Sequence, residues 1–348
     1  MSRRAVLALL SSLVSLALCE LAARAVIDQG GFGEALARIG PHGERVAAYA
    51  SLRHKAATDP ITPLTTHDPQ LGTRALPGVH RRPHYTATVD PLLGRQAPAP
   101  HHPDAARVLV FGDSYTYGYD VGDHEVYTAQ VQALRPDLEL LNLAVPGYGH
   151  DQIYDRFVRD AAALEPDAVV LGALQLDLQR NVRSFYTYEK PWYTLDDGIL
   201  TRHGAPVPDL PSWLRLRARS SRLIDLGWVL HEGLMPHHRD LTAQTELGAA
   251  LIGAFVDAAQ AADLPCLILI FPDGSKVGAA GDQPVPPFEA VARVCARPGV
   301  TCLDVGPAFR DASQAGTEVQ GESHWNAAGH RVVAQAWAQW MAQTGWPL

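Results

Sequence analysis

Three short stretches hold residues whose types and spacing suit acyl chemistry. The apolar run RVLVF leads into GDSYTYG, which sets Ser114 in a turn just past Phe111. A serine hydroxyl is a weak nucleophile until a base takes its proton. His324, in GESHWNAAGH ahead of the last helical stretch, is the candidate base. Its other ring nitrogen needs an acceptor to orient it, and Glu322, on the same loop, is the natural candidate. The stretch NLAVPGYG adds Gly147, whose missing side chain lets a backbone N–H approach a ligand closely. Together with the N–H of Ser114 it would form an oxyanion hole, where losing one donor costs ~3 kcal/mol in the transition state.

Neighbouring polar residues take plainer readings. Asp113 holds the Ser114 turn, Asn326 caps the last helix, and Asp177 supports a loop at the same edge. His330 is a packed or surface histidine, Asp273 a loop cap, and His101–His102 and His237–His238 are solvated loop pairs. No Cys/His pattern has zinc spacing and no glycine-rich nucleotide loop occurs, so neither a metal nor a cofactor is expected.

These residues must be positioned by the elements around them. From Arg107 onward strand and helix signals alternate: RVLVF, LELLNLAV, DAVVLGAL, CLILIF and VTCLDV are apolar strands, with helices between them. Asp123 is expected to cap the helix VYTAQVQAL and Asp151 the next one. Five such strands separated by helices require a central parallel sheet covered on both faces, a three-layer α/β/α sandwich. Reactive groups in such sheets sit at the carboxyl ends of the strands. In flavodoxin-like strand order, the loops carrying Ser114 and His324 share one edge.

Two stretches interrupt this rhythm. Residues 28–105 are rich in Pro, Gly, His and Arg and read as an extension of short extended pieces, with one helix after Pro41. Residues from about 175 to 240 form an insertion containing Tyr186, Tyr188, Trp192, Tyr193 and Trp213, then one helix through WLRLRARSSRLIDLGWVLHEGL. Its aromatics either line an acyl or sugar pocket or pack the insertion onto the domain.

Block by block, these stretches resemble the SGNH (GDSL-type) hydrolases. FGDSYTYG is similar to the nucleophile block, NLAVPGYG to the block bearing the oxyanion glycine, and ESHWNAAGH to the block bearing the catalytic histidine. The resemblance implies the SGNH hydrolase fold over residues 106–348, with Ser114, His324 and Glu322 as a triad. One departure stands out: the family's third block reads GND, and here LGALQLDLQRN places Leu176 where the oxyanion asparagine belongs. Leucine cannot donate a hydrogen bond. Gln175, by a one-residue shift, and Asn181, by a loop rearrangement, are the substitutes.

The N-terminus bears on location. Arg3 and Arg4 precede AVLALLSSLVSLALC, and after Glu20 the apolar character resumes to Ile27. Residues 1–27 therefore read as a signal peptide, with Ala23-Arg24-Ala25 as cleavage site, or as a retained anchor; a buried first helix is the third reading. Export to the periplasm or cell envelope follows from either of the first two. The "DPQLG…R…P" segment also looks like extracytoplasmic members of the family. Export permits a disulfide, and Cys295 with Cys302 would close a short loop, although small buried thiols are an equal reading. A net charge of −8 argues against a nucleic-acid partner. The partners expected are a small-molecule or glycan ester and, if the leader stays, a membrane.

Three functions compete on this reading. The first is a serine esterase cutting a carboxylic ester, such as an O-acyl group of carbohydrate or lipid, through a Ser114 acyl-enzyme. The second is an O-acyltransferase passing the same acyl group to a polysaccharide. The third, motivated by Leu176, is a non-catalytic glycan- or partner-binding protein on the same fold.

Overall fold

The computed structural model describes residues 2–28, 32–56, 59–96, 98, 101–235, 240–272 and 288–346. Asp273 and the pair His237–His238 lie outside the described residues.

The five apolar runs form parallel strands because the inner four are buried on both faces and can hydrogen-bond only to their neighbours, while the fifth is half-buried at the sheet edge. Across the sheet they run Leu138–Asn142, Ala106–Phe111, Ala168–Ala173, Cys266–Ile270 and Thr301–Asp304. Numbered along the chain this order is 2-1-3-4-5, the flavodoxin-like arrangement. Register is set by side-chain alternation: Val108 pairs with Leu140 and Leu109 with Val169. Val108, Val110, Val170, Leu267 and Leu269 face one layer, with the helices Tyr127–Leu134 and Ala327–Thr344. Leu109, Phe111, Val169, Leu171 and Ile268 face the other, under the helices His150–Asp160 and Leu241–Ala261. Phe111 there meets Phe157 and Phe255 edge-on.

The sheet is wider than the five parallel strands. Three antiparallel strands from the extension, Gly94–Arg95, Thr86–Asp90 and Gly78–Arg81, continue it beyond Leu138–Asn142 to make eight in all. The extension is therefore part of the sheet and not only laid against it. Its Arg95 is buried, and the guanidinium donates to the carbonyls of Tyr117 at 2.7 Å and Val121 at 2.5 Å, tying the extension to the loop after the nucleophile.

Two expected caps go elsewhere. The helix Tyr127–Leu134 starts after Val126, and Asp123 instead accepts from the Thr88 N–H and pairs with Arg95. The helix His150–Asp160 starts after Gly149, and buried Asp151 pairs with Lys190. In both cases the carboxylate faces a buried cation brought in by another part of the chain, a charge-assisted contact that a helix end does not supply. The expected single helix of the insertion breaks at Ser220–Ser221 into Leu210–Arg219 and Arg222–Leu234, with Ser221 capping the second. Asn326 caps the last helix as expected, accepting from Ala328 and Gly329 N–H groups. Cys295 and Cys302 form a disulfide, while Cys266 is a free thiol whose burial pushes its pKa up to about 12.

Candidate active site

The first strand stops at Phe111 because Gly112 and Asp113 turn the chain into the short helix Ser114–Tyr117. Asp113 caps that helix, its carboxylate accepting from the Tyr115 N–H at 2.9 Å. The turn is braced from the second strand by Asn142, whose side-chain amide donates to the Thr116 carbonyl at 2.7 Å. Ser114 is thus fixed at the carboxyl edge of the sheet, largely buried but lining an open cleft.

The loop before the last helix brings His324 to the same point. Its Nε2 lies 2.8 Å from Ser114 Oγ, against 3.3 Å for the other acceptor near that hydroxyl, Asp113 Oδ2. The rings of Tyr115 and Tyr119 lie against the imidazole, with centroids 4.7 and 4.8 Å away. Burial lowers the His324 pKa below its ordinary 6.5, while Asp113 and Asp120 pull it the other way. The imidazole is consequently neutral at pH 7, the form a base requires.

The acceptor on the far side of the ring is a correction to the sequence reading. Glu322 is exposed and forms no ion pair with His324 among the described residues. Instead Nδ1 meets Ser323 Oγ at 2.8 Å, and that hydroxyl donates to Asp120 Oδ2 at 2.9 Å, with Asp120 itself 3.7 Å from Nδ1. Donation runs from Nδ1–H to Ser323 to the carboxylate, which leaves Nε2 bare to accept from Ser114. Asp120 presents its carboxylate from a left-handed backbone position at φ 72°, one that aspartate tolerates better than most residues. A signal for it exists in the sequence, since Asp120 stands two residues past the nucleophile block, but Glu322 is far closer to the histidine along the chain.

Gly147 lines the cleft beside Ser114 at φ 88°, a conformation that favours glycine, and a Cβ there would sit 3.2 Å from the Tyr186 ring. Leu176 also lines the cleft and is 43% exposed. Neither proposed stand-in for the asparagine reaches this cleft. Gln175 lines the adjoining cleft with Gln179 and Gln244. Asn181 is buried, its carbonyl accepting from the Asp151 N–H and its amide facing His150.

What the third strand's loop does deliver is Arg180, a residue the sequence reading did not single out. It lines the cleft, and its Nη1 donates to Asp113 at 3.1 Å, to Asp177 at 2.5 Å and to the Tyr148 carbonyl at 2.8 Å. Asp177 thus acts through Arg180. Burial, then the neighbouring Asp113, push the Asp177 pKa well up, and its Oδ2 has no hydrogen-bond partner among the described residues. His330 is buried against Tyr127, whose N–H donates to its Nδ1 at 3.3 Å, and burial lowers its pKa to about 3. It is a packed residue.

The cleft, about 370 Å³, is walled by all three parts of the chain. The extension supplies Thr62, Pro63 and Leu64, and the insertion supplies Tyr186 and Thr187. Of the five insertion aromatics Tyr186 alone lines it among the described residues, and the Arg180 guanidinium lies 5.0 Å over its ring. Tyr188 and Trp213 pack instead in a separate buried cluster, and Trp192 stacks on His203. Among the described residues no group of three or more His, Cys, Asp or Glu is arranged to hold a metal ion.

A sequence model of the GDSL-like lipase/acylhydrolase family matches residues 110–332. No curated protein matches the chain. Among solved structures, a member of the lipolytic protein G-D-S-L family from Veillonella parvula is similar at TM-score 0.41 and 15% identity, over 69% of this chain and 100% of that one. An acetyl xylan esterase from Geobacillus stearothermophilus is similar at TM-score 0.41 and 15% identity, over 69% of this chain and 95% of that one.

Proposed function

The chain belongs to the GDSL-like lipase/acylhydrolase family, and from that premise we propose that it cleaves a carboxylic ester through a Ser114 acyl-enzyme with His324 as base. The protein is an ester hydrolase of the SGNH type. The observation that carries the residue roles is the 2.8 Å contact between His324 Nε2 and Ser114 Oγ. His324 takes the hydroxyl proton as Oγ attacks the ester carbonyl. The bond to the leaving alcohol then breaks, and His324 returns the proton to that oxygen. A water deprotonated by His324 attacks the acyl-enzyme, releasing the carboxylic acid and restoring Ser114. Asp120, through Ser323, acts as the positioning residue that holds the imidazole in its working tautomer.

During both attacks the carbonyl oxygen becomes an oxyanion. We assign its stabilisation to the N–H groups of Ser114 and Gly147, with Arg180 adding positive charge at the cleft wall. Leu176 contributes contact with the acyl group and no hydrogen bond. The open cleft suits an O-acyl group carried on a carbohydrate or lipid. The apolar helix Arg3–Ile27, long enough by length and composition to cross a bilayer, supports the reading that the domain works outside the cytoplasm.

The same helix favours a second reading, in which a sugar hydroxyl beside the membrane replaces water as acyl acceptor. The intact Ser114–His324 pair stands against a non-catalytic role. Labelling of the purified full chain with a fluorophosphonate tests the proposal. Label on the wild type, absent in Ser114→Ala and weakened in His324→Ala, is the expected result. A folded wild type that takes no label would overturn it.

A further inference from the structure

The insertion helix Arg222–Leu234 is built inside out. Its charged residues Arg222, Asp225 and Glu232 all turn toward the protein. Arg222 pairs with Asp28 at 2.7 Å and with Asp225 at 3.1 Å, and Glu232 pairs with His42 at 2.6 Å. The outward arc carries Ile224, Gly227, Trp228, Leu230, His231 and Leu234, with no charged residue among them. Leu230 is 66% exposed and Leu234 83%. At 100° per residue these positions cover about 160° of the helix surface. A helix that spends its charges on the core and turns leucines outward is built for apolar surroundings.

This helix is also where the N-terminal helix Arg3–Ile27 docks. Glu20 and Arg24 are the charges that interrupt its apolar run, and both are fully engaged there. The Glu20 carboxylate accepts from the N–H groups of Arg222 and Leu223, each at 3.0 Å, and from Ser221 Oγ at 2.8 Å. That is an anion held at a helix N-terminus. Arg24 pairs with Glu20 at 2.7 Å and donates to the carbonyls of Ala218 and Ser220 at 3.0 and 2.6 Å. Ala23 and Ile27 are buried with Val46 and Val229. Before this docked end the helix is bare: Leu7, Leu10, Val14 and Leu18 are all exposed.

Lengths link the two features. The uninterrupted run from Ala5 to Cys19 spans about 22 Å at 1.5 Å per residue, short of the ~30 Å hydrocarbon core. A bilayer centred on this run reaches past Glu20, into the level of the docked helix. There the charges are already neutralised by partners and the outward surface is apolar. Arg215 and Arg219 are exposed on the preceding helix, placed for headgroup phosphates.

We propose that Arg3–Ile27 is a retained anchor and that Arg222–Leu234 lies beside it in the headgroup–acyl boundary, seating the domain on the outer face of the bilayer. The proposal rests on the membrane-associated reading given above and extends it. Cleavage at Ala23–Ala25 would take the Glu20 carboxylate from the N-terminus of this helix, leaving Ser221 as its cap, and would strip Ala23 from the cover of Val229, so the docked end favours retention.

The test uses the full chain reconstituted in nanodiscs of phosphatidylethanolamine and phosphatidylglycerol, with and without brominated acyl chains. Brominated lipid should quench part of the tryptophan emission of the wild type, and that part should vanish in Trp228→Phe. Trp228 is exposed, so this variant folds and hydrolyses a soluble ester as the wild type does. Equal quenching in both proteins, or none in the wild type, overturns the interfacial placement. Intact mass after an alkaline carbonate wash of membranes reads the anchor separately. Full-length protein in the washed membranes is expected, and a shorter membrane-free product overturns retention while leaving export standing. Full-length protein released by the wash overturns the membrane reading altogether. Hydrolysis of the soluble ester is unaffected by either failure.

Discussion

The loops after Ala106–Phe111 and after Ala168–Ala173 leave adjacent strands at one edge of the sheet, yet they are built on opposite rules. The first obeys local chemistry: a capping aspartate, a serine on the first turn and a second aspartate at a left-handed position. The other replaces the expected neutral donor with Leu176 and buries a cation, Arg180, between Asp113 and Asp177. In the proposed mechanism proton transfer rests on short contacts within and beside the nucleophile turn, and oxyanion stabilisation rests on backbone N–H groups and on a charge held by one partner from the nucleophile turn and one from its own loop.

Breaking the first loop should give the largest effect. Ser114→Ala should lower kcat by ~10⁵-fold, about 7 kcal/mol of transition-state stabilisation, in a stopped assay of ester hydrolysis. Asp120→Asn should lower it by ~10³-fold, about 4 kcal/mol, because the imidazole loses its orienting acceptor. Glu322→Gln should leave kcat within a factor of two, on the order of what an exposed surface change does. A reversal of these last two results would return the acidic role to Glu322. The pH profile supplies the sign. The neutral imidazole is the active form, so kcat/KM rises as pH climbs through the His324 pKa, which burial holds below 6.5. Asp120 raises that pKa, so Asp120→Asn should move the acidic limb to lower pH. Movement to higher pH would sink the assignment.

The same contrast explains how much was legible beforehand. The five parallel strands follow from the apolar runs, and the Ser114–His324 pairing from the residues that end them once a flavodoxin-like order is assumed; the structure bears the fold out. Asn326 was readable because a cap acts within its own turn. The partners of Asp120, Arg180 and Asp151 were not readable, since each pairs with a residue brought near only by the fold. The three added strands were hidden for a related reason. Gly78–Arg81 and Gly94–Arg95 carry almost no apolar pattern and exist because a neighbouring strand offers an edge. Arg222–Leu234 has outward apolar residues that look like core positions until its burial is known.

Breaking the second loop acts first on stability. Arg180→Met leaves Asp113 without its cation in a buried site and should destabilise the protein by about 3 kcal/mol, read as the urea midpoint multiplied by the m-value. Asp177→Asn should cost about 1 kcal/mol or less, because burial already favours the neutral acid there. An Arg180→Met protein as stable as the wild type would show that Asp113 is balanced from elsewhere.

One modest effect runs in the opposite direction and separates the two loops most sharply. Leu176 lines the cleft and is 43% exposed, so Leu176→Asn leaves the core untouched and should change stability little. If the oxyanion is held by the Ser114 and Gly147 N–H groups with one donor position empty, the new amide should raise kcat. A well-placed donor contributes about 3 kcal/mol. One on a loop not shaped for it should realise only about 1 kcal/mol of this, roughly fivefold in kcat with KM unchanged. The same substitution in a Gly147→Ala background should recover part of that variant's loss, since both groups serve one oxygen. A fall in kcat with a rise in KM would mean that Leu176 is read by the acyl chain. The loop after Ala168–Ala173 would then be a specificity wall, and the charge of Arg180 would be its sole contribution to the oxyanion beside the two backbone donors.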